Sequence, residues 1–505
     1  MDVPAWLSPL LDAAAMREAD RWAIGEREIP SLELMETAGA AVAATVEDVA
    51  GSGPIRVVCG KGNNGGDGLV AARLLIERGR EVEALLLWAV DELTPDSKVN
   101  LERFAGRVRR PEPEALPGAL AGSGAIVDAI FGTGFSGAPR PPAEAAIAAI
   151  NDAHCAVVAC DIPSGVDAST GAVEGAAVAA GRTVTFHAAK LGQFVEPGRG
   201  LSGELTVVDI GIPAEAPAPT AAGTIGEAVL EGLPHRDDRS NKFSSGNVLI
   251  VGGSRGLTGA VCMAAQAAIR AGAGYAAVAM PRTLEAILEV KLTEVMTLGV
   301  SCHEDSLEPG AAEAILERTR SARCVVLGPG MGREERAVEL ARHLARAIEV
   351  PLLIDADGLN ALGTGLESAA VSGRPLVLTP HAGELGRLLG VDSDAVSAVR
   401  LESAREAARR CGGIVVLKGS DTIVTDGERI AINRLASPGL ATAGTGDVLS
   451  GTIAALIARG MNPFEACAAG VLAHARAGRL AAERVGVDSV IASDVIEALP
   501  AGLAR

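Results

Sequence analysis

Residues 55–79 read IRVVCGKGNNGGDGLVAARLLIERG, and the way this stretch folds decides the architecture of the first half of the chain. Its opening, Ile55–Cys59, is an apolar and largely β-branched run of strand length. Its close, from Leu69, has apolar residues at helical spacing. Between them lie five glycines, Gly60, Gly62, Gly65, Gly66 and Gly68, with Asn63, Asn64 and Asp67 interleaved. Glycine is used where a chain must turn tightly or let backbone come close to a ligand. A strand that passes through such a turn into a helix N-terminus is a place where anions and nucleotides bind. Gly60, Gly62 and Gly65 match the G-x-G-x-x-G spacing, although a plain tight turn explains much of that match.

Working outward, the same alternation continues through EVEALLLW, GAIVDAIFG, CAVVACDI, RTVTFHAAK and GELTVVDIGIP. Strands buried on both faces read as continuous apolar runs, so a mostly parallel sheet covered by helices is expected. The pattern dissolves in PAEAPAPTAAG, Pro213–Gly223, which reads as a linker. It restarts with GNVLIVGGSRGLTGA and continues through RCVVLGPGMG, PLLIDADGLNAL, RPLVLTPHAGEL, GIVVLKGSDTIV and GDVLSGTIAALIARG. The fold class is therefore α/β, with two domains expected at 1–222 and 223–505.

Composition agrees with two α/β cores: 48% of the 505 residues are hydrophobic and only 2% aromatic, so small aliphatic side chains must fill them. A formal net charge of −18 argues against nucleic acid or an acidic membrane as partner and leaves small molecules. The eight cysteines form no C-x-x-C pair and read as reduced core residues. The N-terminus lacks the pattern of a secretory signal, and no uncharged apolar run reaches the roughly 18 residues of a membrane helix. A cytoplasmic protein is expected, acting on small molecules and assembling as a homo-oligomer.

Three segments that follow strand-like runs in the first half should meet at the carboxyl edge of its sheet. In the first, the turn of Asn63, Asn64, Gly65, Gly66 and Asp67 offers backbone N–H groups to a phosphate, while Asp67 alone could be a helix cap. The second holds Asp128 and then Gly132, Thr133, Gly134, Phe135, Ser136, Gly137 and Ala138. The third, DIPSG, begins with Asp161 at a strand end and includes Ser164. Oxygens of Asn64, Asp128 and Ser164 could hold a hard cation.

LMETAG (34–39), GNNGGDG, DAIFGTG and DIPSG, in this order, resemble the NAD(P)H-hydrate epimerase family over residues 10 to 212. The resemblance implies a Rossmann-like three-layer sandwich, substrate held by 63–67 and 132–138, and K⁺ near Asn64, Asp128 and Ser164. It implies Asp161 as the acid/base or substrate-orienting group. A hemiaminal hydroxyl beside a ring nitrogen is lost and regained through an iminium or ring-opened form, which a carboxylate can assist without any redox cofactor.

The sharpest signal of the second half is SPGLATAGTGDVLSG, Ser437–Gly451. Backbone N–H groups of Ala443, Gly444, Thr445 and Gly446 open a helix and suit the charge that develops on a transferring phosphoryl group. Asp447 follows, placed to accept a proton from an attacking hydroxyl. The A-G-T-G-D pattern resembles the ribokinase-like superfamily, which implies a second three-layer sandwich. The loop of Lys418, Gly419, Ser420, Asp421 and Thr422 would then belong to the nucleotide site. GPGMG, ending at Gly332, and TPHAGEL, with His381, Gly383 and Glu384, would line the acceptor pocket. Glu384 is read as either a helix cap or a Mg²⁺ ligand, and DADGLNAL (355–362) as orienting ligand or metal.

Together these motifs resemble the nucleotide-dependent NAD(P)H-hydrate dehydratase family over residues 226 to 500. That implies phosphorylation of the hydrate hydroxyl by ADP or ATP with Mg²⁺, then loss of phosphate. A vitamin-precursor kinase with an accessory N-terminal domain, or a nucleotide-sensing module without turnover, are the alternative readings.

Overall fold

The computed structural model describes residues 3–242 and 244–505. They divide into two compact units, Pro9–Ala222 and Gly223–Arg505, with Pro4–Ser8 joined to the second. Accordingly β1 (Leu7–Pro9) is an edge strand of the second unit's sheet.

The first unit contains β2 (Ile55–Cys59), β3 (Val82–Leu86), β4 (Arg107–Arg109), β5 (Ala125–Ala129), β6 (Ala156–Cys160), β7 (Arg182–Phe186) and β8 (Glu204–Val208). Their order across the sheet is 4-3-2-5-6-7-8 with all pairings parallel. Successive side chains of β2 serve opposite layers, as the period of a strand requires. Ile55, Val57 and Cys59 enter a core with the helices Ser31–Val49 and Asn63–Glu77, whereas Val58 enters another with Leu116–Leu120 and Ala143–Asn151. The result is a three-layer α/β sandwich. The strand order reverses between β2 and β5, and in such sheets the crevice beyond that reversal is where ligands bind.

Local geometry corrects the reading of the glycine-rich stretch. The helix starts at Asn63, with Gly62 as its N-cap, so Asn63–Asp67 is its first turn and not a loop ahead of it. Asp67 lies inside the helix and is no cap. Most of the glycines serve packing. A Cβ on Gly60 would stand 1.8 Å from the carbonyl oxygen of Ile130, one on Gly65 would stand 2.1 Å from that of Gly60, and one on Gly68 would meet Ala129 Cβ at 2.5 Å. Overpacking of a dense core costs about 1–3 kcal/mol, and here the neighbour is backbone that cannot yield. Gly60→Ala should therefore lower the stability of the first unit by about 3 kcal/mol, read from the denaturant midpoint of its unfolding transition.

The second unit continues with β9 (Ala222–Ile225), β10 (Asn247–Val251), β11 (Tyr275–Pro281), β12 (Met296–Val300), the short pair β13 (Cys302–His303) and β14 (Ser306–Leu307), β15 (Cys324–Leu327), β16 (Leu352–Ile354), β17 (Leu376–Leu378), β18 (Ile414–Leu417), β19 (Ile423–Thr425) and β20 (Ile430–Ile432). The large sheet runs 1-9-20-19-18-17-16-15-10-11-12. It is parallel from β18 to β12, and β19 is antiparallel to both β18 and β20. The segment GIVVLKGSDTIV is thus a hairpin, with Lys418–Thr422 as its connection.

The stretch 213–223 is less of a free linker than its composition suggests. Thr220 Oγ1 donates to the Leu10 carbonyl at 2.7 Å, Ala216 packs on the first core, and Ala222 opens β9. Four residues of strand are too short to display an alternation, and three prolines precede them.

Candidate active sites

A cavity of about 530 Å³ lies beyond the strand reversal of the first unit, between the ends of β2, β5 and β6 and the helix Ala13–Gly25. Asn63, Asn64, Asp67, Gly132, Thr133, Gly134, Phe135 and Asp161 line it. Gly65 and Gly66 do not: Gly65 packs on Gly60, and Gly66 on Ser97 and on Met35, which itself lines the cavity. Nor do Ser136, Gly137 and Ala138, because a turn closed by Phe135 N on Gly132 O at 3.1 Å carries the chain outward. Phe131 and Phe135 stack with centroids 4.3 Å apart, and Trp88 lies 6.1 Å from Phe131. Phe131 and Phe135 lie on the cavity wall, and Trp88 lies behind them.

Asp161 directly follows β6 and has φ of 68°, a left-handed conformation uncommon for a residue with a side chain. Its Oδ1 accepts from Lys190 Nζ at 2.7 Å and Thr185 Oγ1 at 3.3 Å; its Oδ2 accepts from Thr133 N at 2.9 Å and Thr133 Oγ1 at 2.5 Å. Lys190, fully buried and absent from the sequence-based reading, also donates to Thr185 Oγ1 and the Phe186 carbonyl, each at 2.8 Å. Three acceptors thus surround the buried ammonium and offset the cost of its desolvation. Burial alone would raise the Asp161 carboxyl, but the Lys190 charge and these hydrogen bonds hold it below its ordinary value. Its neighbours shift the other way. Asp20 rises to about 6 and Asp67 well above its ordinary value, through burial first and the Asp161 charge second.

Asp128, at 0% exposed, accepts from Ser164 N at 2.8 Å, Ser164 Oγ at 2.6 Å and Ile130 N at 3.2 Å. Burial still pushes it up to about 6, with no cation among the described residues facing it. Both polar atoms of the Asn64 amide are buried without a partner.

In the second unit, Lys418 follows β18 and Asp355 follows β16, so both stand at the carboxyl edge of the sheet. Lys418 Nζ is 3.0 Å from Asp355 Oδ1 and 3.7 Å from Glu384 Oε2. Asp355 Oδ2 accepts from Ser450 Oγ at 2.6 Å. A Cβ on Gly446 would stand 3.4 Å from Lys418 Nζ, which places this cation beside the first turn of the helix Thr445–Ala458. Gly444 caps that helix with φ of 91°. Its initial N–H groups have no intrahelical partners and carry the positive end of the helix dipole. Asp447 lies in the same turn, raised to about 7 by burial and then by the Asp355 charge.

Several residues of this unit have roles other than those expected. His381 is the N-cap of the helix Ala382–Leu389: its Nδ1 accepts from Gly383 N and Glu384 N, while Glu384 Oε2 accepts from His381 N at 2.9 Å. The N–H of Gly383 is thus occupied, while Glu384 takes the first of its two expected roles, helix cap, and also faces Lys418. A histidine in place of the usual Ser or Thr hid this reciprocal cap. Asp421 is buried against Arg400, whose Nε reaches Oδ2 at 3.0 Å, so its carboxylate does not face the loop's open side. Within that loop the Thr422 hydroxyl bonds the Gly419 carbonyl at 2.8 Å, and Gly419 and Ser420 are exposed. Thr445 turns its hydroxyl to the carbonyls of Leu440 and Thr442. Gly332 N donates to Asp357 at 3.0 Å, and Ala443 is exposed.

Two α/β units, each with a carboxylate immediately beyond a parallel strand, a lysine paired to it and a second acid raised above its ordinary value, define a two-site α/β enzyme. Residues 248–501 match the NAD(P)H-hydrate dehydratase family and residues 31–192 the family described as YjeF-related protein N-terminus. The bifunctional NAD(P)H-hydrate repair enzyme Nnr of Moorella thermoacetica is 41% identical, with 97% of this chain and 96% of that one covered. The enzyme of the same name from Salinibacter ruber is 39% identical, with 99% and 97% covered. The chain belongs to the bifunctional NAD(P)H-hydrate repair enzyme family. Among solved structures, an ADP/ATP-dependent NAD(P)H-hydrate dehydratase from Bacillus subtilis, co-crystallised with ATP and Mg²⁺, is 26% identical. It covers 55% of this chain and 95% of its own, with a TM-score of 0.47. No described helix is long and apolar enough to cross a membrane.

Proposed function

We propose that the first unit interconverts the R and S hydrates of NADH and NADPH, and that the second dehydrates the S hydrate at the expense of ADP or ATP. The observation that carries this reading is Asp447 in the first turn of a glycine-capped helix, with Lys418 beside it. A phosphoryl group seated on that helix N-terminus would face a cation and a carboxylate together. Asp447 then takes the proton of the C6 hydroxyl as its oxygen attacks the terminal phosphorus and the bond to the nucleotide breaks, releasing AMP from ADP or ADP from ATP. The phosphate leaves with the C6–O electrons while the ring nitrogen supplies its lone pair, and loss of a C5 proton restores the dihydronicotinamide. Epimerisation completes the scheme, because it lets the unreactive R form drain through the S form. The eight free cysteines suit a cytoplasmic setting.

Asn64, Asp128 and Ser164 fit a bound K⁺: an orphaned amide, a buried carboxylate facing no cation, and a hydroxyl make a set of oxygen donors. The ion would supply charge neutralisation beside the cavity. Mg²⁺ would enter with the nucleotide, mainly on phosphate oxygens, since no group of three His, Cys, Asp or Glu among the described residues is arranged to cage a metal.

A test follows from Asp447. A base must be ionised, so kcat/KM for dehydration should rise with pH and level off above about 7, the value to which this carboxyl is raised. A profile flat from pH 5 to 8 would remove Asp447 as the base.

A further inference from the structure

The hydrogen bonds of Asp161 leave it poorly suited to move a proton. An ionised carboxylate has about four lone-pair sites. Here Lys190, Thr185 and both donors of Thr133 occupy all four. Two further carboxyl groups line the same cavity: Asp20, from the helix Ala13–Gly25, and Asp67, from the helix Asn63–Glu77. Among the described residues neither carboxyl is held by a side-chain hydrogen bond or ion pair. The cations that face them are already engaged or exposed. Lys190 is paired with Asp161, Lys61 lies 3.8 Å from Glu92 and over the Trp88 ring, and Arg17 is exposed.

Resting on the reading of this unit as the epimerase, we propose that Asp20 and Asp67, which line the same cavity from two different helices, carry out the proton transfers, one as acid and the other as base, while Asp161 stays ionised as the partner of Lys190 and fixes Thr133 at the cavity wall. With Asp161 fixed as an anion in the same cavity, burial and its charge favour a proton on one of the two, so that one can act as acid and the other as base. In the forward step the protonated member gives its proton to the C6 hydroxyl. The C6–O bond breaks, its electrons leave with water, and the ring nitrogen lone pair forms the iminium. Water then adds to the opposite face of C6 and its proton passes to the other carboxylate. No proton is gained or lost, and the pair is ready for the reverse direction with its members exchanged. The positive charge of the iminium develops in a cavity where one of these two carboxyls is ionised, and Asp161, neutralised by Lys190, stays fixed beside it. The raised carboxyls of Asp20 and Asp67, against the lowered one of Asp161, agree with this division.

The test uses the full chain with pure S hydrate and no nucleotide, following the R form by chromatography and subtracting the spontaneous rate. Asp20→Asn should lower the epimerisation kcat by about 10²-fold to 10⁴-fold with KM little changed, and Asp20→Glu should recover part of the rate. The wild-type profile should be bell-shaped with its acid limb near pH 6, and Asp20→Asn should lose that limb. An Asp20→Asn protein that keeps the wild-type kcat, or that loses only affinity, overturns the division of roles while the epimerase reading stands. A wild-type protein that does not interconvert the epimers overturns both.

Discussion

Asp447→Asn should abolish dehydration of the S hydrate while leaving interconversion of the epimers untouched. The amide keeps the volume of the carboxylate and removes the base, so the rate should fall by about 10²-fold to 10⁴-fold. The fold should survive. The substitution removes a charge that is buried near Asp355, and burial of that charge is what raises the carboxyl to about 7. Phosphate and regenerated dihydronicotinamide, followed together from pure S hydrate and ADP, read the loss. An undiminished rate would show that the proton goes elsewhere.

For Asp161→Ala the expected result has two parts. Epimerisation should stop, so a racemic hydrate with ample ADP should lose its S form quickly and then stall with R remaining. The first unit should also weaken, because Lys190 would be left buried without its counter-charge, and removing one partner of a buried pair typically costs about 3–5 kcal/mol. Adding Lys190→Met should return much of the stability and none of the activity. That double variant separates catalysis from folding. Rapid loss of both epimers in a folded variant would show that Asp161 is dispensable.

The fold was largely legible because strands buried on both faces write themselves as continuous apolar runs, as at Ile55–Cys59 and Asn247–Val251. Strands that escaped notice lacked that signature: Arg107–Arg109 is short and charged, and Tyr275–Pro281 is rich in alanine. The sites were legible where a carboxylate follows a strand, as at Asp161. They were not where function depends on distant partners. Nothing in HAAK announces that Lys190 lies 2.7 Å from Asp161. Asp20 belongs to none of the motifs the sequence shows, yet its helix brings it to the cavity. The glycines misled in a different way. Gly65 suits a ligand cradle in sequence, yet it, like Gly60 and Gly68, lets backbone or a helix press against its neighbour, a demand that looks the same in sequence.

The central claim, two coupled activities in one chain, is tested most directly by giving the purified full-length protein a racemic mixture of hydrates and ADP and following both epimers, phosphate and dihydronicotinamide over time. Both epimers should disappear towards completion, with one phosphate released for each dihydronicotinamide regenerated. A phosphorylated product that accumulates without dihydronicotinamide, or a reaction that halts with the R form intact, would contradict it.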